Sequence, residues 1–186
     1  MEELTLLGER AVQAKYELQR MTTEKKNEVL EAVAEALIQN TEYLLLENHK
    51  DLERGIANQM NPGLVDRLRL TKERIAGMAE GIRQIVKLPD PVGEILDDYE
   101  AENGLHIVKK RVPMGVIGII YESRPNVTAD AFGLCFKSGS AVILKGGSDA
   151  IRSNMAITKV IQDAVVRRGV DPYVCLLYTS DAADDR

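Results

Sequence analysis

Residues 115–154 read GVIGIIYESRPNVTADAFGLCFKSGSAVILKGGSDAIRSN, and this stretch decides the expected fold. Residues 116–121 and 141–144 are two apolar runs, typical of strands that are covered on both faces of a parallel sheet. Residues 126–138 have the length of a crossover helix, which Gly139 ends. A second helical face follows, formed by Ile157, Val160, Ile161, Ala164 and Val165. The stretch therefore predicts a βαβα unit that begins a doubly wound parallel sheet.

The loops that leave the two predicted strands are where a functional site is expected. Crossover connections are almost always right-handed, and ligands of such sheets gather at the carboxyl ends of the strands. The first loop comprises residues 121–124 and the second residues 145–148. We therefore look for function in these two loops.

Before this unit, four apolar stripes at helical spacing predict an N-terminal layer of four helices. The second helix follows Thr22 or Thr23, either of which suits an N-cap. The third is followed by a loop at residues 58–63, and the fourth begins after Thr71 and ends at Leu88. The stripes are interpreted as core faces and not as ligand sites.

Residues 94–99 and 105–111 suit the two strands of a hairpin, because Asn103-Gly104 between them is a strong turn signal. The edges of such a hairpin are open to pairing with another subunit, so we expect a homo-oligomer for the complete protein. Residues 109–111, Lys-Lys-Arg, are interpreted as a solvated strand end or a subunit contact, and not as a nucleic-acid patch.

The composition is that of an ordinary globular protein. Of the 186 residues, 45% are hydrophobic and 28% are charged, so disorder is not expected. No apolar run approaches the roughly 20 residues that a membrane helix needs, and two cysteines do not make a disulfide scaffold. The net charge of −5 argues against affinity for nucleic acid. Since residues 1–3 are acidic and unlike a secretory signal, we expect a cytoplasmic protein.

The second loop, KGGSD at residues 145–149, is the first candidate site. Gly146 and Gly147 allow a ligand to approach the backbone, Lys145 adds a positive charge, and the N–H groups at the following helix start attract anions. The loop could hold a nucleotide phosphate, although it matches neither established phosphate-binding glycine motif. A plain tight turn is the alternative.

The first loop, ESRPNVT at residues 122–128, is the second candidate. Arg124 can bind a carboxylate or phosphate through two parallel hydrogen bonds, with the Glu122 carboxylate and the Asn126 amide close by. The alternative is that Asn126 or Thr128 caps the next helix and touches no ligand.

Other reactive side chains are not expected to form a site. Cys135 lies on a predicted buried helix without a neighbouring base, and free cysteine is among the most buried residue types, so we interpret it as a core residue. His49 and His106 fall on different elements without partners at metal-ligand spacing. We expect both at the surface and no metal site.

The last segment, CLLYTSDAADDR at residues 175–186, resembles an in-frame translation of a transposase sequencing adapter; a natural polar terminus is the alternative. We therefore exclude it from the fold prediction and expect the strand–helix pattern to stop at Val174, with the gene product continuing beyond it. The expected division is a helical layer with a hairpin at residues 1–111, the βαβα unit at 112–174 and the adapter-derived tail.

Residues 110–154 closely resemble the γ-glutamyl phosphate reductase family, also called glutamate-5-semialdehyde dehydrogenases, in the aldehyde dehydrogenase superfamily. The strings YESRPNVTAD and AVILKGG carry the resemblance, which extends with the preceding helices over roughly residues 2–174. It implies a truncated α/β fold and an oxidoreductase of proline biosynthesis that reduces L-glutamyl 5-phosphate to L-glutamate 5-semialdehyde with NADPH. The alternatives are another aldehyde or acyl-phosphate oxidoreductase of the superfamily and a non-catalytic nucleotide-binding module.

The resemblance also implies a cofactor site. Lys145 ends the strand that meets the adenosine ribose, and the cofactor lies along Gly146, Gly147 and Glu122. At the position of Ser148, relatives that prefer NAD often carry a glutamate that binds the ribose hydroxyls. Serine at this position implies a preference for NADPH, because it does not repel the 2′-phosphate.

The resemblance implies a covalent mechanism in which a cysteine thiolate attacks the acyl phosphate. Arg124 and Asn126 lie where the superfamily has an asparagine that polarises the substrate carbonyl, although the spacing differs, so they are candidate substrate contacts. The family's nucleophile lies downstream of Val174. We therefore expect no catalytic nucleophile in this chain, and no activity from the chain alone.

Overall fold

The computed structural model describes residues 2–179 of the chain. Within these residues the fold is α/β, as predicted. The helices are α1 (Glu2–Gln19), α2 (Thr23–Gln39), α3 (Thr41–Ala57), α4 (Pro62–Leu68), α5 (Lys72–Lys87), α6 (Asn126–Lys137) and α7 (Ile151–Arg167). The strands are β1 (Ile95–Glu100), β2 (His106–Lys110), β3 (Val116–Ile120), β4 (Ala141–Lys145) and β5 (Cys175–Leu177). Two short 3₁₀ helices are Ser148–Ala150 and Pro172–Val174.

The helical layer contains one helix more than predicted. The prediction of a loop at residues 58–63 is wrong at its end, because α4 begins at Pro62. The side chain of Asn61 caps this helix by accepting a hydrogen bond from Gly63 N–H at 2.8 Å, and proline in the first turn is a further start signal. Thr22 caps α2, as predicted.

Strands β3, β4 and β5 form a parallel sheet in this order, with Val116 opposite Ala141 and Val142 opposite Cys175. The parallel pair β3–β4 with α6 between them confirms the predicted crossover. The prediction that the pattern stops at Val174 is wrong, since Cys175–Leu177 forms the third strand. These three apolar residues suit a buried strand whatever their coding origin, and they pair with β4.

Strand β3 is more exposed than its apolar sequence predicts. It lies at an edge of the described sheet and pairs with β4 alone, and Ile120 is 86% exposed. The central strand β4 is largely buried. The expectation of coverage on both faces is therefore wrong for β3 within residues 2–179. An apolar run indicates that a strand tends to be buried. The strand is buried only where other elements cover both of its faces.

The predicted hairpin is confirmed, with Glu100 opposite His106 and Gly104 in the turn at a φ of 78°. All residues of β1 and β2 are exposed. Both histidines lie at the surface, as expected, with His49 and His106 side chains each 66% exposed.

One hydrophobic core joins the helical layer to the sheet. Phe132 and Phe136 of α6 lie in this core with ring centroids 5.2 Å apart, and Cys135 is buried beside them, as predicted. The core also encloses a charge: Lys26 of α2 is 1% exposed, pairs with the Asp90 carboxylate and donates to the carbonyl of Lys137 at 3.2 Å. This ammonium group links α2 to the turn after α5 and to the end of α6.

Candidate functional site

The two loops that were predicted to carry the site lie side by side at the carboxyl edge of the sheet. Tyr121 N–H donates to the carbonyl of Lys145 at 3.0 Å, which extends the β3–β4 pairing into both loops. Ser123 Oγ donates to Asp149 Oδ2 at 3.2 Å. A Cβ at Gly147 would lie 3.0 Å from Ser123 Oγ, so only glycine allows this close approach without a shift.

Three hydrogen-bonded side chains, two of them completely buried, lie beside the second loop. Thr128 Oγ1 donates its proton to Asn154 Oδ1 at 3.1 Å. It therefore accepts a hydrogen bond from Tyr121 OH, at 2.7 Å. Thr128 and Asn154 are completely buried, and Thr128 therefore does not cap α6. Burial raises the pKa of Tyr121 to about 12, against the lowering effect of its hydrogen bond with Thr128. The Tyr121 hydroxyl thus keeps its proton at neutral pH.

Arg54 of α3 connects the helical layer to the second loop by hydrogen bonds. Its Nη2 donates to the carbonyls of Ser148 at 2.7 Å and Asp149 at 3.0 Å, and it pairs with Asp51 Oδ1 at 3.0 Å. Asp51 is completely buried and accepts the Ser153 N–H at the start of α7 at 2.8 Å. The loop is therefore held by a residue more than ninety positions away, which no local pattern indicates.

The first of two clefts at this edge is apolar and has a volume of about 530 Å³. It runs along β3 to the second loop, with Ile119 and Tyr121 on one side and Lys145, Gly146 and Gly147 at the loop. Its size falls in the range of small-molecule and cofactor sites. A cation at the end of an apolar surface suits a ligand with an anionic part and an apolar part.

The second cleft has a volume of about 350 Å³ and lies between α4, α5 and the start of α6. Arg124 and Asn126 both line it. Asn126 Nδ2 donates to Asp130 Oδ2 at 3.3 Å, and no side chain caps α6, so the capping alternative for Asn126 is excluded.

The structure thus separates the candidate residues into two groups. Lys145, Gly146 and Gly147 line the apolar cleft, whereas Arg124 and Asn126 line the other. Glu122 and Ser148 are exposed and line neither cleft. The Glu122 carbonyl accepts the Arg124 N–H at 2.8 Å. Sequence reasoning missed Asp130, although its position one helical turn after Asn126 is a signal that could have found it.

Neither cysteine has the properties of a nucleophile. Burial raises the pKa of the Cys135 thiol to about 11, and it also raises the pKa of the Cys175 thiol. Both groups are therefore neutral at physiological pH, while attack on a carbonyl carbon needs the thiolate. Within residues 2–179, no group of histidine, cysteine, aspartate and glutamate side chains is arranged to hold a metal ion, and no helix is long and apolar enough to cross a bilayer.

The two loops lie at the edge where doubly wound sheets bind their ligands. A model of the aldehyde dehydrogenase family matches residues 2–183. The chain belongs to the aldehyde dehydrogenase family. Within this family it is 50% identical to the γ-glutamyl phosphate reductase of Clostridium botulinum over 173 residues, which are 93% of this chain and 42% of that protein.

Two further family members extend the comparison. The γ-glutamyl phosphate reductase of Lachnospira eligens is 53% identical over 174 residues, 94% of this chain and 42% of the relative. The crystal structure of γ-glutamyl phosphate reductase from Thermotoga maritima superimposes with a TM-score of 0.94 at 37% identity, covering 97% of this chain and 44% of that one. This aldehyde dehydrogenase family chain thus spans less than half the length of the relatives it matches.

Proposed function

We propose that this chain is the N-terminal part of a γ-glutamyl phosphate reductase, which reduces L-glutamyl 5-phosphate to L-glutamate 5-semialdehyde with NADPH in proline biosynthesis. The observation that carries the proposal is the identity of about half of all residues over 93% of the chain to proteins of that name. We retain the division at residue 111 and the adapter origin of residues 175–186 as parts of the proposal, although residues 175–177 pair with β4 as part of the sheet.

The loop at the end of β4 fits a phosphorylated dinucleotide. Lys145 offers a cation at the end of the apolar cleft, and Gly147 lines the cleft beside it. The exposed Ser148 hydroxyl can receive the 2′-phosphate, and it brings no negative charge to that position. When bound, NADPH supplies the hydride of the reduction. The chain's part is to bind and orient the cofactor at the carboxyl edge of the sheet.

The reaction also needs a thiolate that attacks the acyl carbon while the bond to the phosphate oxygen breaks. NADPH bound at the second loop would supply the hydride that reduces the acylated thiol to the aldehyde and releases the thiolate. Since Cys135 and Cys175 are buried with raised pKa values, we place the nucleophile outside residues 2–179.

The function is tested by assaying the complete gene product in the direction of NADPH formation, with glutamate 5-semialdehyde, phosphate and NADP⁺. We expect activity that depends on phosphate, and none from the 186-residue chain assayed in parallel. Oxidation of other aldehydes without any reaction of this substrate would assign the protein to another branch of the family.

Ser148→Glu in the complete enzyme is expected to shift cofactor preference toward NADH. A carboxylate about 4 Å from the 2′-phosphate costs roughly 1 to 4 kcal/mol, depending on solvent exposure. The ratio of kcat/KM for NADPH to that for NADH should therefore fall by about tenfold or more. Ser148→Gln, which has a similar size but no charge, is the matched control. An unchanged ratio in the glutamate variant would show that the 2′-phosphate binds elsewhere.

Arg54→Ala is expected to raise the KM for NADPH by about tenfold while changing kcat little. The variant removes the hydrogen bonds that hold the carbonyls of Ser148 and Asp149, so the loop must be ordered by the cofactor itself. Lys50→Ala, which truncates an exposed side chain of the same helix, is the control. A fall in kcat alone, with KM unchanged, would contradict this role for Arg54.

We further infer that the complete protein is a cytoplasmic homo-oligomer and does not bind nucleic acid. The inference is supported by the net charge of −5 and by the hairpin, which exposes Ile95, Tyr99 and Ile107. Light scattering of the complete protein measures the oligomeric state, and a monomer at micromolar concentration would contradict the homo-oligomer.

A further inference from the structure

The cleft between α4, α5 and α6 has an unusual charge content. Four arginines and two aspartates line it: Asp66, Arg67, Arg69, Arg74, Arg124 and Asp130. We call it the arginine cleft. Arg74 Nη2 pairs with Asp66 Oδ2 at 3.2 Å. Within residues 2–179, the guanidinium groups of Arg67, Arg69 and Arg124 have no carboxylate partner.

Asp130 is the carboxylate of this cleft that has no cationic partner among the described residues. It is half-buried, and its Oδ2 accepts a hydrogen bond from Asn126 Nδ2 at 3.3 Å. Burial raises the pKa of Asp130, while the hydrogen bond from Asn126 lowers it. A carboxylate held in this way is stabilised by an added cation.

The cleft also has room for a ligand. Gly77 of α5 lines it, and a Cβ at that position would meet no atom within 4 Å. One turn further along α5, a Cβ at Gly81 would lie 3.4 Å from Asp130 Oδ1. The absence of side chains on this face of α5 therefore keeps the arginines and Asp130 accessible. The volume of about 350 Å³ lies at the lower end of the range for small-molecule sites.

We propose that the arginine cleft binds the α-amino acid head group of the substrate, with Arg124 contacting the α-carboxylate and Asp130 contacting the α-ammonium group. This rests on the proposed function, in which the substrate carries both charges on one carbon. Guanidinium groups bind carboxylates through two parallel hydrogen bonds, and an ammonium group donates well to a carboxylate. Asn126 acts as a positioning residue, since it holds Asp130 by hydrogen bonding.

A zwitterion uses both signs of charge in the cleft. Phosphate would be attracted by the arginines but would leave Asp130 without a cation, whereas an amino acid satisfies both Arg124 and Asp130. The arginine cleft adjoins the contact between the two loops, because Arg124 follows Ser123, whose Oγ donates to Asp149 Oδ2 of the second loop.

The test uses the complete enzyme and three aldehydes. Glutamate 5-semialdehyde carries both charges, 5-oxopentanoate lacks the amino group, and 4-aminobutanal lacks the carboxylate. We expect Asp130→Asn to lower kcat/KM for glutamate 5-semialdehyde by about 10- to 100-fold, as for the loss of a charge-assisted hydrogen bond. The same variant should leave kcat/KM for 5-oxopentanoate within about threefold of wild type.

Arg124→Gln should give the converse pattern, with kcat/KM reduced for the two aldehydes that carry a carboxylate and unchanged for 4-aminobutanal. Lys72→Gln, an exposed substitution at the start of α5, is the control. Thermal melting of each variant verifies that it is folded.

The outcomes separate this proposal from the proposed function. An active wild type whose variants lose activity equally on all three aldehydes would overturn the head-group assignment alone. If the variants change only the KM for phosphate, the cleft binds phosphate, and the head-group assignment is overturned. A wild-type enzyme without activity on glutamate 5-semialdehyde would overturn the function and the assignment together.

Discussion

Replacing Asp90 with asparagine is expected to lower the free energy of unfolding by about 3–5 kcal/mol. The Asp90 side chain is 9% exposed and neutralises Lys26, which is 1% exposed. Asparagine keeps the size of the side chain but leaves the buried ammonium without a counter-charge. Urea denaturation at pH 7 of the variant and the parent chain measures the difference.

Two further variants separate charge neutralisation from other effects. Glu42→Gln breaks an exposed pair with Lys72 and should leave the free energy of unfolding nearly unchanged. Lys26→Met combined with Asp90→Asn should lose much less stability than the sum of the single variants, because both charges are then absent. A cost for Asp90→Asn as small as that for Glu42→Gln would show that the pair does not stabilise the fold.

The same pair makes stability depend on acid pH. Partial burial raises the pKa of Asp90, but hydrogen bonds from Lys26, Val92 N–H and Thr23 outweigh this effect, so the pKa lies below its ordinary value. A carboxyl group with a lowered folded pKa stabilises the protein above the unfolded pKa of about 4, and this contribution is lost as the pH falls through the folded pKa. The parent chain should therefore lose more stability than Asp90→Asn between pH 5 and pH 2.

Gly146→Ala is expected to destabilise the protein by about 1–3 kcal/mol through overpacking. The added Cβ would lie 2.1 Å from Asn154 Nδ2 and 3.1 Å from Tyr121 Cζ. Asn154 is completely buried and accepts a hydrogen bond from Thr128, so it cannot move away without breaking that bond. Since Gly146 is part of the proposed cofactor loop, the KM for NADPH of the complete enzyme should rise as well.

Gly118→Ala is the matched control, because a Cβ at that strand position meets no atom within 4 Å. We expect it to be neutral or slightly stabilising, since alanine loses less conformational freedom than glycine on folding. Adding Asn154→Ala to Gly146→Ala removes the atom responsible for the closest contact and should reduce the cost of the first substitution. Equal stability of Gly146→Ala and Gly118→Ala would contradict the steric argument.

Local pattern was sufficient for most elements of the fold. The apolar runs at residues 116–121 and 141–144 became β3 and β4, and Asn103-Gly104 marked the turn of the hairpin. These features depend on side-chain period and turn chemistry within a few residues, which a sequence displays directly. The capping signal of α4 at Asn61 was equally local, but it lay in a stretch that was interpreted as a loop.

The elements that were predicted wrongly depend on their neighbours. The exposure of Ile120 follows from the place of β3 at the edge of the described sheet, which its apolar run does not reveal. The strand at residues 175–177 forms because three apolar residues meet the open edge of β4. Sequence reasoning had treated this segment as foreign to the fold.

For the candidate site, the sequence by itself determined which two loops lie at the carboxyl edge, because the connection between parallel strands and its handedness are fixed by local geometry. Only the tertiary structure decided that Lys145 and Arg124 face different clefts, that Arg54 holds the second loop, and that Asp130 lies among arginines. The physical reason is that these contacts join helices far apart in sequence. Their partners are selected by the packing of a shared core, which no periodicity within one segment encodes.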